Sequence, residues 1–583
     1  MLPMHRRDAM HDAGGPRPRL QAMQMEEPVR AEGSRGVTLA TPDAYATESA
    51  AGAAPPDVPP ARWGTWEFRA YYLLALVVVP YMIYVPIYLS SESHPQFGRY
   101  ANYLVPGWMG GRLRDDSDFQ YRLLRDHAGI IGALIVAHSS ASAAVRWLAP
   151  KLGVAPRRAR AAFLLLTGVL YVGALHGVNL LKILVIAAGN YGLARVCTRL
   201  PRPLAFALVW VCHVAVLVAV FYLEGVPFRM LVPSLAWLDE YSGLIHRWYI
   251  SYNFSMLRLV SFALDSVWAS DAYQPPSHAR APAKARVQTP HAVAEYTYLS
   301  QVLYLLYPPL FIAGPIVTFN DFHSQRVTPL AISRRAVLGY MVRCAVAILS
   351  IEFVLHYMYV NAIKSARAWD GYTPMELALL GFWSLEFVWL KLVVPWRTFR
   401  LWALLDGVDV PENVIRSITN SPSAILFWRA WHRSYNLWVV RYLYVPLGGA
   451  QRQLLASLVV FTFVALWHDL SFTLLAWAWL IVLFIVPEVL GRTLVPARVY
   501  GQRAWFRHVR ALGTVANVFM MISANLVGFV VGLDGVQYVW SQLLGTRAGA
   551  VCLLQLTGVL FVAAQLMYEY RAEERRRGVL RNC

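Results

Sequence analysis

Residues 454–469 read LLASLVVFTFVALWHD, an apolar run that ends on Trp467, His468 and Asp469. The run is apolar enough to lie in a bilayer, where an ionisable side chain is costly unless it pairs or lines a wet cavity. Imidazole is also the side chain best suited to move a proton near neutral pH. The segment therefore indicates a membrane helix with a functional histidine at its end.

The composition of the whole chain is typical of a membrane protein. Of its 583 residues, 57% are hydrophobic and only 15% are charged, whereas soluble domains contain about 25% charged residues. Apolar runs of ~20 residues recur along most of the length, which predicts an all-α polytopic fold with roughly ten to twelve spanning helices. We detect no internal repeat. The predicted spans are 71–89, 127–148, 161–176, 178–196, 204–223, 337–359, 377–394, 454–468, 472–486, 515–531 and 551–567.

Two further segments are apolar without the pattern of a simple span. Residues 244–262 mix apolar and basic residues at helical spacing, which predicts an amphipathic helix in the membrane interface. Residues 296–317 contain two breaks, Pro308-Pro309 and Gly314-Pro315, so we expect a kinked or re-entrant segment. Residues 395–449 alternate aromatic, arginine and turn residues, and are the least span-like part of the second half.

The charge distribution predicts an orientation in the membrane. The net charge is +19, and we attribute it to basic loops on the cytosolic leaflet rather than to nucleic-acid binding, because arginine clusters flank apolar spans. Segments 151–160 and 195–202 are both basic, which predicts that they are cytosolic together with the N-terminal tail. Membrane lipids are therefore expected partners, and nucleic acid is not.

Composition also divides the chain into three regions. Residues 1–64 are rich in Pro, Ala, Gly and Met and lack the apolar stretch of a signal peptide, which predicts a disordered cytosolic tail. Residues 65–575 form the predicted transmembrane domain, with its core at 240–490, and 576–583 form a short basic C-terminal tail. Five cysteines are scattered singly without metal-ligand spacing, so neither a metal site nor a disulfide framework is expected.

A second histidine, His432, lies in the block FWRAWHRSYN at 427–436. A histidine on an apolar helix is more often structural than catalytic. We interpret three others in this way, His176, His213 and His356. His468 differs because it follows Trp467 and precedes Asp469 at the end of a span, where a cavity could open. His432 differs because it lies in a dense polar and aromatic block, and the two together predict a functional pair.

Several blocks resemble the membrane-bound O-acyltransferase (MBOAT) family. The quoted blocks are PWRTFRLW at 395–402, FWRAWHRSYN at 427–436, RYLYVPLGG at 441–449 and WHD at 467–469. Three more fit the glycerol-uptake-protein branch of that family, which neighbours the Hedgehog acyltransferases: LRLVSF at 257–262, YLLYPP at 304–309, and AGPI with FNDF at 313–322. The order and spacing of the blocks are specific, and the resemblance covers about residues 65–575.

The resemblance implies a fold, a reaction and roles for residues. The fold would be a helical bundle with interfacial and re-entrant helices around a tunnel, which donor and acceptor enter from opposite faces. The reaction would move a fatty acyl group from acyl-CoA, a co-substrate, to a hydroxyl of a lipid acceptor, with no cofactor. In the glycerol-uptake branch the acceptor would be a lyso-glycosylphosphatidylinositol (lyso-GPI) anchor or a lysophospholipid in the endoplasmic reticulum membrane. The family's near-invariant histidine corresponds to His468, and its variable second position, which is His, Asn or Asp, corresponds to His432.

The chemistry of acyl transfer fits these roles. The attacking hydroxyl must lose its proton, and a base within ~3 Å contributes about 10²–10⁴-fold. We assign the base to His468, and to His432 the orientation of the hydroxyl or the stabilisation of the oxyanion. No suitably placed Ser or Cys nucleophile is evident, which favours direct transfer over an acyl-enzyme intermediate. An apolar tunnel would gain ~0.8 kcal/mol for each buried CH₂ of the acyl chain.

Residues around the pair are further candidates for substrate binding. Guanidinium groups fit CoA phosphates, although lipid headgroups or membrane topology could equally account for the arginines. Tryptophans in such a region are most simply packing or interface residues. The candidates are Arg397, Arg400, Trp428, Arg429, Trp431, Asn436, Trp467 and Asp469.

Two alternative functions remain open at this stage. One is a protein acyltransferase of the Hedgehog-acyltransferase type, although those relatives carry Asp at the position of His432. The other is a glycerol transporter, the activity that named the branch. Transporters usually show inverted repeats and paired broken helices, and the sequence shows neither.

Overall fold

A computed structural model describes residues 47–49, 59–269, 283–328, 330–577 and 579–581. Most of the predicted tail at 1–64 and of the loop before residue 283 lies outside these ranges. The α-helices are α1 Trp66–Leu89, α2 Phe97–Tyr100, α3 Phe119–Asp126, α4 Ala128–Lys151, α5 Pro156–His176, α6 Asn179–Cys197, α7 Arg202–Tyr222, α8 Phe228–Leu231, α9 Trp248–Val267, α10 Ala283–Gln288, α11 Tyr298–Leu305, α12 Pro308–Phe311, α13 Phe319–Val327, α14 Arg334–Tyr357, α15 Val360–Ser365, α16 Pro374–Leu405, α17 Ala424–Ala430, α18 Arg433–Val439, α19 Gln453–His468, α20 Phe472–Leu494, α21 Ala497–Tyr500, α22 Phe506–Phe529, α23 Gly532–Gly545 and α24 Arg547–Arg576.

Short non-α segments complete the secondary structure of the described residues. The 3₁₀ and π segments are Ala101–Tyr103, Pro233–Glu240, Val293–Glu295, Val440–Tyr444 and Gly449–Arg452. The strands are β1 Thr47–Ser49, β2 Leu104–Pro106, β3 Leu113–Asp115 and β4 Val579–Arg581. They pair as two antiparallel ribbons, β1 with β4 and β2 with β3.

Eleven helices within the described ranges are long and apolar enough to cross a membrane. They are α1, α4, α5, α6, α7, α14, α16, α19 with the preceding 3₁₀ turn, α20, α22 and α24. The prediction of an all-α polytopic fold is therefore confirmed. The predicted tunnel stays a prediction.

Contacts between helix ends define two faces of the bundle. The N-terminal end of α1 lies beside the C-terminal end of α24, because the Arg62 amide donates to Glu569 Oε1 at 3.0 Å and Arg576 Nε donates to the Pro59 carbonyl at 3.0 Å. We call this the first face. Both basic segments predicted to be cytosolic, between α4 and α5 and between α6 and α7, also lie there, and the 90–127 segment lies on the second face.

The chain between Pro59 and Arg576 begins and ends on one face, so it crosses the bundle an even number of times. Eleven spans therefore require one more. Helix α9 supplies it. It begins on the second face, where Trp248 Nε1 donates to the Gly225 carbonyl at 3.0 Å just beyond α7. It ends on the first face, where Asp265 Oδ2 accepts from the amide of Asn320 at 3.2 Å.

Helix α9 is buried inside the bundle, so the prediction of an interfacial helix at 244–262 is wrong. Every residue from 255 to 266 is buried, because α6, α7, α11 and α13 pack around it. The basic residue that suggested a polar face is Arg258. Its guanidinium donates to the carbonyl of Leu305, at 2.6 Å, and to that of Leu310.

The same two carbonyls belong to the segment broken by Pro308-Pro309. It forms α11 and α12 rather than one span, and both of its flanks lie on the first face. Glu295, just before α11, pairs with Arg157 at the start of α5 and with His323 of α13. The prediction of a kinked or re-entrant segment is confirmed, and Arg258 satisfies backbone carbonyls at its break.

Candidate active site

His468 is the last residue of α19, and its position is set by the residue before it. The Trp467 carbonyl accepts from Asn253 Nδ2 at 2.6 Å, and Trp467 Nε1 donates to the Asn253 carbonyl at 2.9 Å. These two bonds fasten the end of α19 to the early part of α9. Trp467 is buried, whereas the His468 side chain remains accessible.

His432 lies at the bend between α17 and α18, in a left-handed conformation with φ of 43°. This conformation is uncommon for a residue other than glycine, although histidine adopts it more often than most, and such residues cluster at active sites. Asn413 holds the bend. Its carbonyl accepts from the Arg433 amide at 3.0 Å, and its Oδ1 accepts from the Ser434 amide at 3.2 Å.

The imidazole of His432 is stacked between two aromatic rings. Its centroid lies 4.6 Å from that of Trp396 and 5.3 Å from that of Tyr435, with interplanar angles of 22° and 23°. Nε2 is buried and makes no hydrogen bond within the described part of the chain. Burial, with a smaller contribution from His468, lowers the pKa of His432. The lowered pKa favours the neutral ring, and the unpartnered Nε2 can bond a substrate or a water molecule.

The Trp467 ring connects the two histidines. Its centroid lies 6.4 Å from that of His432 and 4.9 Å from that of His468. Tyr435 stacks on the same indole at 4.6 Å. The structure thus brings the predicted pair and Trp467 into one aromatic-walled site, between helices that cross the bundle.

The other predicted residues of the 427–436 block lie at different distances from this site. Trp431 stacks on Phe427 at 5.7 Å and meets Trp396 edge-on at 5.8 Å, so it supports the ring that covers His432. The Asn436 amide donates to the His432 carbonyl at 3.0 Å within α18. Trp428 instead packs against Trp477 in a separate hydrophobic cluster.

Two of the residues predicted to bind substrate have solvent-accessible side chains. Arg429 is exposed on α17, and Asp469 is exposed directly after His468. Asp469 accepts the Ser471 amide at 2.9 Å through its carbonyl, in the turn that leads into α20. Both side chains remain available to a substrate that approaches the site.

The burial of Arg400 does not agree with the predicted contact between this residue and CoA phosphates. It is 1% exposed, and its guanidinium lies 3.1 Å from Asp409 Oδ1 and 3.3 Å from Glu412 Oε2. Arg397 lies in the same network, 3.8 Å from Glu412, and donates to the Arg343 carbonyl at 3.3 Å. Two carboxylates already neutralise Arg400, so its role is to fix the chain after α16.

Sequence reasoning did not identify four residues that shape this site. They are Trp396, Tyr435, Asn413 and Asn253. Trp396 and Tyr435 lie in the sequence blocks that resemble the MBOAT family. Tyr435 follows His432 by three residues, a spacing that places two side chains on the same face of a helix. The roles of Asn413 and Asn253 depend on distant segments and leave no local signal.

Comparisons with known proteins show the family of the chain. The model of MBOAT, the membrane-bound O-acyltransferase family, matches residues 205–532. The chain is 40% identical to membrane-bound O-acyltransferase GUP1 of Saccharomyces cerevisiae, over 90% of this chain and 94% of that protein. It is 34% identical to membrane-bound O-acyltransferase GUP2 of the same yeast, over 90% and 89%. It is also 28% identical to the mouse protein-cysteine N-palmitoyltransferase HHAT, over 43% of this chain and 53% of HHAT.

Proposed function

Because this chain belongs to the membrane-bound O-acyltransferase family, we propose that it transfers a fatty acyl group from acyl-CoA to a hydroxyl of a lyso-GPI anchor. Acyltransferase activity in a multi-pass membrane protein follows from the family and its relatives. The donor, the acceptor, a location in the endoplasmic reticulum and independence from any cofactor are parts of the proposal.

The observation that carries the proposed mechanism is the pairing of an accessible His468 with a buried, neutral His432 beside one indole. His468 takes the proton of the acceptor hydroxyl as its oxygen attacks the thioester carbon. The new C–O bond forms, the C–S bond breaks, and the proton passes to the leaving CoA thiolate. No acyl-enzyme intermediate is needed, because the acceptor oxygen attacks the thioester directly.

His432 stabilises the charge that develops on the carbonyl oxygen. Its unpartnered Nε2 can donate a hydrogen bond to that oxygen, and rings on both sides fix the direction of the bond. A preorganised donor in a site of low dielectric is worth more than the same donor in water. The left-handed backbone of His432 supports a role for which position matters.

A lipid acceptor is favoured because both histidines lie between membrane-crossing helices, where a hydroxyl attached to a lipid can reach them. The full-length match to two proteins named O-acyltransferases supports an oxygen nucleophile. The shorter match to a protein-cysteine N-palmitoyltransferase keeps a protein acceptor as the second candidate.

The test uses membranes that contain the full chain, labelled acyl-CoA and lyso-GPI. The His468→Ala variant is expected to lose about 10²–10⁴-fold in transfer rate, whereas His127→Ala, a control at an exposed histidine, keeps the wild-type rate. Full activity in His468→Ala would overturn the mechanism. Transfer to an N-terminal cysteine peptide in preference to lyso-GPI would replace the proposed acceptor, and glycerol entry into proteoliposomes without acyl-CoA would indicate a transporter.

A further inference from the structure

A groove of about 580 Å³ lies between α1, α16, α22, α23 and α24. Its walls are almost entirely apolar, none of its lining side chains is charged, and typical members are Leu74, Phe382, Leu526, Trp540 and Leu543. Four of the five helices are candidate membrane spans. The groove therefore lies at the depth of the bilayer.

The groove is accessible to the hydrocarbon chains of the bilayer. Helix α1, which forms one wall, exposes large apolar side chains next to it, with Leu73 67%, Leu76 73% and Val77 69% exposed. A lipid-facing helix of this kind makes the groove continuous with the protein–bilayer interface. Apolar cavities of about 150 Å³ stay dry and hold benzene, so a groove of 580 Å³ has room for one fatty acyl chain.

A narrow cleft of about 20 Å³ adjoins the groove and shares part of its wall, including Leu377, Gly381 and Leu526. Its remaining wall contains polar side chains, among them Lys364 and Ser384. The cleft holds roughly one water molecule, so a headgroup would lie at its mouth. Lys364 belongs to α15, on the second face, where headgroups are found.

Lys364 is a half-buried cation that lacks an ion-pair partner among the described residues. Burial, followed by the charge of Lys391, lowers the pKa of Lys364, whereas the more weakly acting Asp118 and Asp115 oppose the shift. The neighbouring carboxylates are engaged elsewhere. Asp118 pairs with Lys391 at 2.8 Å, and Asp115 Oδ2 accepts the Ala362 amide at 2.7 Å.

We propose that the groove binds an anionic phospholipid of the surrounding bilayer, with an acyl chain in the groove and the phosphate beside Lys364. The apolar walls fit the chain, and the unpaired cation complements the headgroup. This lipid site is separate from the histidine pair. Phe382 of the groove and Trp396, which covers His432, are fourteen residues apart on α16, which is about 20 Å along a helix.

The chain part of the proposal is tested by filling the groove. An added side chain at Gly558 on α24 would meet nothing within 4 Å and would project into the groove. In the purified full-length protein, Gly558→Phe is expected to carry less copurified phospholipid per chain than wild type, measured by mass spectrometry. Gly339→Phe on α14, where a side chain also meets nothing within 4 Å, is the matched control and keeps the wild-type amount. Equal amounts in both variants would overturn the proposal.

The headgroup part is tested with Lys364→Gln. One lysine near anionic lipid contributes about 1 kcal/mol, so the preference for phosphatidylserine or phosphatidylinositol over phosphatidylcholine should fall about fivefold. The total lipid retained should change little. Lys284→Gln, at an exposed lysine of α10 on the first face, should keep the preference. An unchanged preference in Lys364→Gln would refute the assignment of the phosphate.

Wild-type protein provides a test that needs no variant. A phospholipid with a diazirine in its acyl chain should label peptides of α23 and α24 that line the groove more strongly than peptides of α14. Uniform labelling of all spans would contradict a specific site. Loss of acyl transfer in His468→Ala is a separate result, so this proposal and the proposed function can fail independently.

Discussion

Asn253 and Trp467 hold each other through two reciprocal hydrogen bonds between side chain and backbone, at 2.6 and 2.9 Å. Asn253 lies on α9, inside the bundle, and Trp467 directly precedes His468 at the end of α19. The accessible histidine is thus attached to a helix that is largely buried inside the bundle.

We expect Asn253→Ala to lower kcat strongly while KM changes less. Loss of both the amide donor and the local geometry would let the end of α19 move, and a displacement of about 1 Å can cost ~10²-fold. The measurement is acyl transfer in membranes at saturating donor. Asn253-Phe254-Ser255 has the pattern of a glycosylation sequon. Ser255→Ala removes this sequon but leaves both Asn253 bonds, so it serves as the control. An equal loss of activity in Ser255→Ala would point to glycosylation instead of positioning.

Two substitutions of His432 distinguish the contribution of its aromatic stacking from that of its Nε2 hydrogen bond. His432→Phe keeps an aromatic ring between Trp396 and Tyr435 but removes Nε2, and loss of one oxyanion donor costs about 10²–10³ in kcat. Asn at the same position tolerates the left-handed backbone and supplies an amide donor, so His432→Asn should retain more activity than His432→Phe. The opposite order would mean that the ring matters for packing alone.

The sequence predicted the number and character of the spans because each is an independent apolar run. It failed at α9, where burial depends on partners distant in sequence. The sequence suggests that Arg258 lies on a polar helix face. It does not show that the break at Pro308-Pro309 leaves backbone carbonyls that Arg258 can bind. A single sequence does not distinguish a buried arginine that binds the carbonyls of a broken helix from an arginine that is exposed to solvent.

The same limit applies to the candidate site. His468 and Trp467 could be found because they are adjacent in one short block, and His432 because its block is unusually polar and aromatic. Arg400 was misinterpreted, although Asp409 and Glu412 follow it closely and offered a signal of local pairing. A test of CoA binding should therefore begin with Arg429, which is exposed, and not with Arg400.

A buried network around Asp406 should dominate the stability of the first-face end of α16. Its carboxylate is fully buried, lies 3.1 Å from Arg160 Nη2, and accepts from Tyr307 at 2.7 Å and from Ser142. Breaking a buried ion pair by removing one partner costs about 3–5 kcal/mol. Asp406→Ala should therefore lower the Tm of purified protein markedly.

The matched control for that network is Asp370→Ala. Asp370 also pairs with an arginine, Arg99, at 2.7 Å, but its side chain is 69% exposed. Exposed ion pairs contribute about 0–1 kcal/mol, so the Tm should shift little. Similar shifts in Asp406→Ala and Asp370→Ala would contradict the structural role assigned to Asp406.

The first-face cluster around His323 predicts how stability depends on pH. Arg326 can only donate, so Nδ1 of His323 accepts from it at 3.2 Å, while Nε2 donates to Glu295 at 3.0 Å. Only the neutral ring makes both bonds. Burial is the main cause that lowers the pKa of His323, and Arg326 and the neighbouring His291 add to it, whereas Glu295 opposes it.

Since the folded chain binds this proton less tightly than the unfolded chain, stability should fall as the pH drops below about 6.5, the usual pKa of histidine. Burial also lowers the pKa of His291, which adds to the same acid loss. The pKa of Glu295 is itself lowered, chiefly by the His323 hydrogen bond, so its contribution is lost only at more acid pH. The Tm measured from pH 7 to pH 5 should decline less in His323→Gln, whose amide can donate and accept without titrating. An unchanged decline in that variant would show that other groups control the acid sensitivity.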